Sequence, residues 1–171
     1  MCGIAGEISR TTLYGAGGNS NVEDMIHSLR HRGPDDQTYW DFNSYPKPGE
    51  QYWSVGLGMC RLSIIDREHG QQPFGRTCKA FFNGEIYNHQ TLRRNLRHFA
   101  EVSCETQCDS EVVAKLYEQN KEHFIGMLRG MYAIAIWDEQ EERLKLYRDR
   151  VGTKPLYYSH RAGVFLFASE I

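Results

Sequence analysis

No stretch of this 171-residue chain approaches the roughly 18 consecutive apolar residues that a membrane-crossing helix needs. Its start lacks the combination of a basic stretch, a long apolar run and a small-residue cleavage site that marks a secretory leader. No membrane partner is expected. Neither sign of charge dominates: 20 Lys and Arg stand against 22 Asp and Glu, a formal net charge of -2, so a polyanion-binding surface and a nucleic-acid partner are not indicated. Cysteines number five, which cannot all pair within one chain, and a reducing cytoplasm fits that count best. Cys104 and Cys108 could share an ion, but no second Cys or His pair follows at zinc-ligand spacing, so no metal site is expected. The glycine-rich run Gly15 to Gly18 lacks the lysine and the strand-to-helix setting of a phosphate loop. Internal repeats and low-complexity tracts are also missing.

What is present is ordinary globular material, 40% hydrophobic and 25% charged, with enough length for one domain spanning 1–171. Short apolar or alternating segments bounded by Gly, Pro, Asn or Asp predict strands at Gly3 to Ser9, Gln37 to Phe42, Trp53 to Leu62, Lys79 to Phe82, Met131 to Trp137, Arg143 to Arg148, Leu156 to Ser159 and Val164 to Ala168. Asp138 to Glu142 reads as a charged turn between two of them. Helices fit between: one capped by Asn21 with Met25, Ile26 and Leu29 on a face and stopped at Gly33-Pro34; one capped by Asn88 with Leu92, Leu96 and Phe99 at helical spacing. A third, capped by Asp109 or Ser110, carries the stripe Val112, Val113, Leu116 and Tyr117, and a short fourth covers His123 to Leu128. Thr11 to Ser20 and Asn43 to Gln51 read as loops. Many strands with a few interspersed helices imply two packed sheets covered by helices, an α+β arrangement.

Chemistry concentrates at a few points. Cys2 stands directly behind Met1, and removal of that one residue would make it N-terminal. A thiol on the first residue has its own base, because a free α-amine with a pKa near 7.7 to 8.0 can shuttle protons at neutral pH. With Met1 in place the same nitrogen is an amide and has no basic lone pair. Asn83-Gly84 follows an apolar strand: the pair is either a plain turn or two N–H donors able to hold a developing oxyanion. Arg61 ends a strand, where it either makes a surface salt bridge or grips a carboxylate in a bidentate fork. Asp109 is either a helix cap or a carboxylate aimed at an ammonium group. The run Arg30 to Asp35 reads as a helix-ending turn held by salt bridges.

Taken in order, Met1-Cys-Gly-Ile-Ala-Gly6, Arg30-His-Arg-Gly-Pro-Asp35, Arg61-Leu-Ser-Ile-Ile-Asp66, Asn83-Gly-Glu-Ile-Tyr-Asn-His89, Asp109-Ser-Glu111, Gly130 to Asp138, Arg148-Asp149, Gly152 and Lys154 to Tyr158 resemble the glutaminase domain of glutamine-dependent asparagine synthetases. That domain is a class II glutamine amidotransferase of the N-terminal nucleophile hydrolase superfamily, and the resemblance runs from Cys2 to Ala168-Ser-Glu-Ile171. The stretch Arg61-Leu-Ser-Ile-Ile differs from the Arg-Trp-Ala-Thr-like stretch of the phosphoribosyl and hexosamine branches.

The resemblance implies a four-layer αββα sandwich. It implies Cys2 as nucleophile, forming a γ-glutamyl thioester with L-glutamine, and Asn83 and Gly84 as the oxyanion hole. It further implies Arg61 on the substrate carboxylate, Glu85 and Asp109 on its ammonium, and backbone of Leu62, Ile64 and Ile65 lining the pocket. No cofactor is expected on these residues. ATP and magnesium belong to a synthetase domain absent from this sequence, whether a domain of the same protein or a separate partner; a homodimer is a further assembly open to it. The competing expectation is a silent or precursor module that scaffolds a synthetase.

Overall fold

A computed structural model describes residues 1–11, 21–44 and 52–171. The chain runs through β1 (Gly3–Thr11), α1 (Val22–Ser28), a 3-10 turn (Arg30–Arg32), β2 (Asp36–Asn43), β3 (Tyr52–Arg61), β4 (Cys78–Ile86), α2 (His89–Phe99) and α3 (Asp109–Asn120). A second 3-10 segment (Lys121–Met127) then leads to β5 (Gly130–Asp138), β6 (Arg143–Arg148), β7 (Tyr157–Arg161) and β8 (Val164–Ala168). Two compact units result: Met1–Leu62 with Leu156–Ile171, and Ser63–Pro155.

In the first unit five antiparallel strands pair in the order β2-β3-β1-β8-β7. Because side chains alternate along a strand, β1 and β3 turn small residues to one face: Gly3 lies opposite Cys60, and Ala5 opposite Gly58. This shallow strip accepts α1, whose Val22 and Ile26 pack with Leu29 against Ala5 and Cys60. A methyl group on Gly58 would lie 2.8 Å from Ile26, so glycine there sets how closely the helix approaches. The opposite face carries Ile4, Val55, Leu57, Met59 and Phe167, all buried.

In the second unit β4, β5 and β6 form a three-stranded antiparallel sheet, β5 central. Ala80, Phe82, Ile86, Ile134 and Ile136 on one face pack with Leu92 and Leu96 of α2 and Val112, Val113, Leu116 and Tyr117 of α3. An edge-to-face aromatic chain, Tyr117 to Phe124 at 5.7 Å and Phe124 to Tyr147 at 5.2 Å between centroids, joins α3 to β6. The β5–β6 turn is fixed by Asp138, fully buried, whose carboxylate accepts the Gln140 and Glu141 amides, the Tyr117 hydroxyl at 2.5 Å and the Lys121 ammonium at 2.7 Å. Burial alone would raise its pKa, but Lys121, Tyr117 and the two amides outweigh it and hold the carboxyl below the usual range.

All eight expected strands form, in two antiparallel sheets with helices, so the α+β expectation holds. Four local expectations need correction. Asn21 does not cap α1 through its side chain, which instead donates to Glu7 at 2.9 Å. Asn88 likewise leaves α2 uncapped and bridges Met127 O and Arg129 N, both at 3.0 Å. Phe99 does not join Leu92 and Leu96: it is the last residue of α2 and is 86% exposed. At α3 the capping position is Cys108, and Asp109 is the first helical residue. The short fourth helix is the 3-10 segment, starting two residues before His123. The two loop expectations fall mostly on residues 12–20 and 45–51, outside the described residues; β1 and β2 run through Thr11 and Asn43.

Asp149, after β6, is a second buried knot, accepting the amides of Thr153 at 2.8 Å, Lys154 at 2.9 Å and Tyr132 at 3.2 Å. Burial opposes ionisation, yet these amides prevail and bring the carboxyl down to about 2. Its contribution to stability is therefore complete above the value of about 3.9 for a free Asp and lost as pH falls below it. Asp149→Asn is expected to lower the urea midpoint at pH 7 and to flatten its decline between about pH 4 and pH 2. A variant curve parallel to the wild-type curve would contradict this role.

Candidate active site

Two groups of residues carry the chemistry, one in each unit. In the first, Cys2 lies just before β1, half-buried, with its Sγ 3.4 Å from the Leu62 amide and 3.7 Å from the Leu62 carbonyl. Its own carbonyl accepts a hydrogen bond from Arg32 Nε at 3.0 Å. The run Arg30 to Asp35 thus acquires a use beyond a turn. Arg32 grips the nucleophile's backbone, and the Asp35 amide donates to Arg61 O at 3.1 Å. Gly33 passes so close to β3 that a Cβ would stand 2.5 Å from Arg61 backbone carbon, which only glycine avoids. Arg61, the last residue of β3, is 5% exposed and so is no surface side chain.

Three other thiols are poor nucleophiles by environment. Burial pushes Cys60 and Cys104 up, and Cys78 up to about 12, away from the thiolate form that reacts. Cys108 donates to Ile65 O at 3.4 Å, and Cys104 packs on the apolar core, so the suspected pair serves the fold. Among the described residues no three His, Cys, Asp or Glu groups could hold a metal ion.

The second group is built on β4, an edge strand, and here the Asn83-Gly84 turn reading is overturned. β4 continues straight through, pairing Asn83 with Ala133 and Gly84 with Tyr132. Backbone groups of an antiparallel strand point alternately to either side, so every second residue of β4 faces away from β5. Along that outer edge Ala80 exchanges both bonds with Phe74, and Phe82 exchanges both with the side chain of Gln72. Ile86 donates its amide to Asp109 Oδ2 at 2.9 Å. Gly84 is the remaining outward step that none of these partners covers. Tyr132, opposite it, turns its own amide and carbonyl to Asp149 on the far side.

Asn83 points to the face away from α3, since Phe82 and its alternates fill the other. The residue is 1% exposed, its cross-strand neighbour is an alanine, and its side-chain Nδ2 is buried with no hydrogen-bond partner. Leaving such a donor unpaired costs about 1 to 3 kcal/mol, which a fold-only role does not explain. At Gly84 a Cβ would lie 2.1 Å from Met131 O, so β5 could stay in register with no other residue there. Two N–H donors therefore stand on consecutive residues of a strand that cannot shift.

Asp109 begins α3, 6% exposed, with Oδ2 on the Ile86 amide and Oδ1 on the Ser110 amide at 3.0 Å. Burial pushes its carboxyl up, the Ile86 amide and nearby His89 tempering the shift, so a cation at this point would be welcome. Glu85, next to Gly84, is exposed. Ile64 turns its side chain to solvent at 78% exposure, so what Ile64 offers is backbone; Ile65 O is held by Cys108. Cys2, Arg61 and Leu62 are thus gathered in the first unit, and Ile64, Ile65, Asn83, Gly84, Glu85 and Asp109 belong to the second. Sequence reasoning missed Gln72, which carries no motif signal. It left Arg32 without a chemical role although the residue sits inside a quoted motif.

The whole chain, residues 1–171, matches the glutamine amidotransferase domain family. It is 35% identical over 175 residues to asparagine synthetase [glutamine-hydrolyzing] 2 of Bacillus subtilis, covering 100% of this chain and 22% of that protein. It is 36% identical over 183 residues to amidase chry2 of Gibberella zeae, covering 100% of this chain and 26% of that protein. A solved glutamine phosphoribosylpyrophosphate amidotransferase from B. subtilis, complexed with ADP and GMP, superposes with a TM-score of 0.71 at 20% identity, over 98% of this chain and 42% of that one. The chain belongs to the glutamine amidotransferase domain family, and its fold is that of the solved amidotransferase. It spans about a quarter of the length of these curated relatives.

Gly84→Ala is expected to destabilise the second unit by about 1 to 3 kcal/mol through overpacking against β5. The check is the urea midpoint; an unchanged midpoint would mean that β4 and β5 can separate there without cost.

Proposed function

We propose that this domain hydrolyses L-glutamine to glutamate and ammonia through a thioester on Cys2. The observation that carries the reading is the unpartnered, buried amide of Asn83 beside the uncovered edge position of Gly84. With Met1, which is 58% exposed, removed, the α-amine of Cys2 takes the thiol proton. Sγ then attacks the side-chain amide carbon of glutamine. Negative charge collects on the amide oxygen, where Asn83 Nδ2 and the Gly84 N–H receive it. The amine returns the proton to the departing nitrogen, the carbon–nitrogen bond breaks, and ammonia leaves. Water, activated by the same amine, cleaves the thioester and releases glutamate.

Arg61 holds the α-carboxylate of the substrate, Asp109 and Glu85 its α-ammonium, and the backbone from Leu62 to Ile65 lines the pocket. These opposed charges select a free amino acid over a glutamine within a peptide. The buried, upward-shifted Asp109 carboxyl supports this role, since an ammonium would stabilise its charged form.

Ammonia passes to a synthetase domain or partner. Relatives named as glutamine-hydrolysing asparagine synthetases support an asparagine synthetase-like acceptor. The same reading puts ATP and magnesium on that acceptor and no cofactor on this chain. Five free cysteines support a reducing cytoplasm as the working compartment.

Glutamate release from glutamine tests the reading. Cys2→Ala is expected to abolish it, and Asn83→Ala to lower kcat by about two to three orders of magnitude. Arg61→Lys should raise KM for glutamine more than it lowers kcat. Equal rates for wild type and Cys2→Ala would remove the nucleophile. No adduct between processed Cys2 and a glutamine-mimicking diazoketone would favour the silent module.

A further inference from the structure

We infer that Glu170 is a positioning residue for Cys2, acting through Arg32. The inference rests on the proposed nucleophile and adds a residue outside the substrate pocket to it.

Arg32 uses two edges of its guanidinium at once. Nε donates to the Cys2 carbonyl at 3.0 Å, and Nη1 donates to Glu170 Oε1 at 2.6 Å. A guanidinium is planar and rigid, so fixing one edge fixes the direction of the other. The Arg32 side chain is only 9% exposed, which leaves its charge little water to fall back on if the carboxylate is withdrawn. Glu170 is in turn held from a second side. His31 places Nδ1 against Ser28 O and Nε2 against Glu170, each at 3.1 Å. Arg32 first, and then His31, hold the Glu170 carboxyl below its ordinary value.

The backbone fixes the same register. Ser169 donates its amide to Ile4 O at 2.9 Å and accepts the Ile4 amide on its hydroxyl at 3.0 Å. Glu170 therefore follows a residue stitched to the chain two positions from the nucleophile. The Cys2 carbonyl is bonded to the same Cα that bears the thiol and the amine, so a shift of that carbonyl moves both reacting groups. Misplacement on the order of 1 Å can cost about a hundredfold in rate.

The test compares wild type, Glu170→Ala, Glu170→Gln, Arg32→Ala and the Arg32→Ala/Glu170→Ala double variant, each full length and with Cys2 processed. Active sites are counted with the glutamine-mimicking diazoketone. Glu170→Ala is expected to lower kcat per titrated site about tenfold with KM for glutamine within about twofold, because nothing that touches substrate has changed. Glu170→Gln, which keeps an acceptor, should recover part of the loss. The double variant should be no slower than Arg32→Ala alone, since one residue acts through the other. An unchanged kcat per titrated site, or effects that multiply in the double variant, would overturn the inference. A second arm does not depend on hydrolysis: the rate at which iodoacetamide alkylates Cys2, followed by peptide mass spectrometry. It should change in Glu170→Ala and Arg32→Ala alike; equal rates in all variants would overturn the inference. Absence of glutamate release by wild type would instead overturn the proposed function and leave this arm to decide.

Discussion

The site in the second unit depends on how the outer edge of β4 is satisfied. An edge strand exposes every second N–H and C=O, and a folded protein must find partners for those it buries. Here the partners are not a further strand. Phe74, the Gln72 side chain and the Asp109 carboxylate each take one step along the edge, and Gly84 is left for something else. The same arrangement makes Asp109 serve twice, because tying down Ile86 also fixes the carboxylate that a cationic substrate group would meet. The donor thus stands on a rigid strand, and the carboxylate at the start of α3 is tied to that same strand and not to an independent loop.

In the first unit the corresponding constraint is the tether on Cys2. The residue precedes β1, where chain ends ordinarily fray, yet its carbonyl is held by Arg32 and its sulfur lies against the Leu62 backbone. A run of six residues, Arg30 to Asp35, supplies this bracket, with Arg32 on one side and Gly33 seated against Arg61 on the other. Arg61 and Cys2 are therefore located by the same short segment.

Strand alternation and helical stripes were legible in the sequence because they follow from burial of apolar side chains, and every strand expected on that ground forms. Asn21 and Asn88 hold the expected capping positions, but their side chains turn to tertiary partners, Glu7 and Met127 with Arg129, a competition that spacing does not encode. Asn83-Gly84 has the letters of a turn, but pairing with β5 outweighs the local preference, and the glycine is needed for closeness and not for a left-handed backbone. Phe99 satisfied the helical period and still faces water, since period says which face a residue is on and not whether anything covers that face at the last residue of the helix. Cys2, Arg61, Asn83, Gly84 and Asp109 stood out by residue type with alternatives open, and motif resemblance gave them their roles; their burial and partners, and the grip of Arg32, come from tertiary packing that spacing does not encode.

The two neighbours Asn83 and Gly84 differ in what would keep them through evolutionary drift. A copy of this domain released from selection for chemistry would still favour Gly84, because any side chain there collides with β5 and costs stability. It would have no such need of Asn83, whose buried side-chain nitrogen has no partner among the described residues and whose replacement by a small apolar residue would relieve an unpaired donor. Asparagine at 83 is therefore the informative letter of the pair: glycine at 84 marks a domain that still folds, and asparagine before it marks one still selected to act.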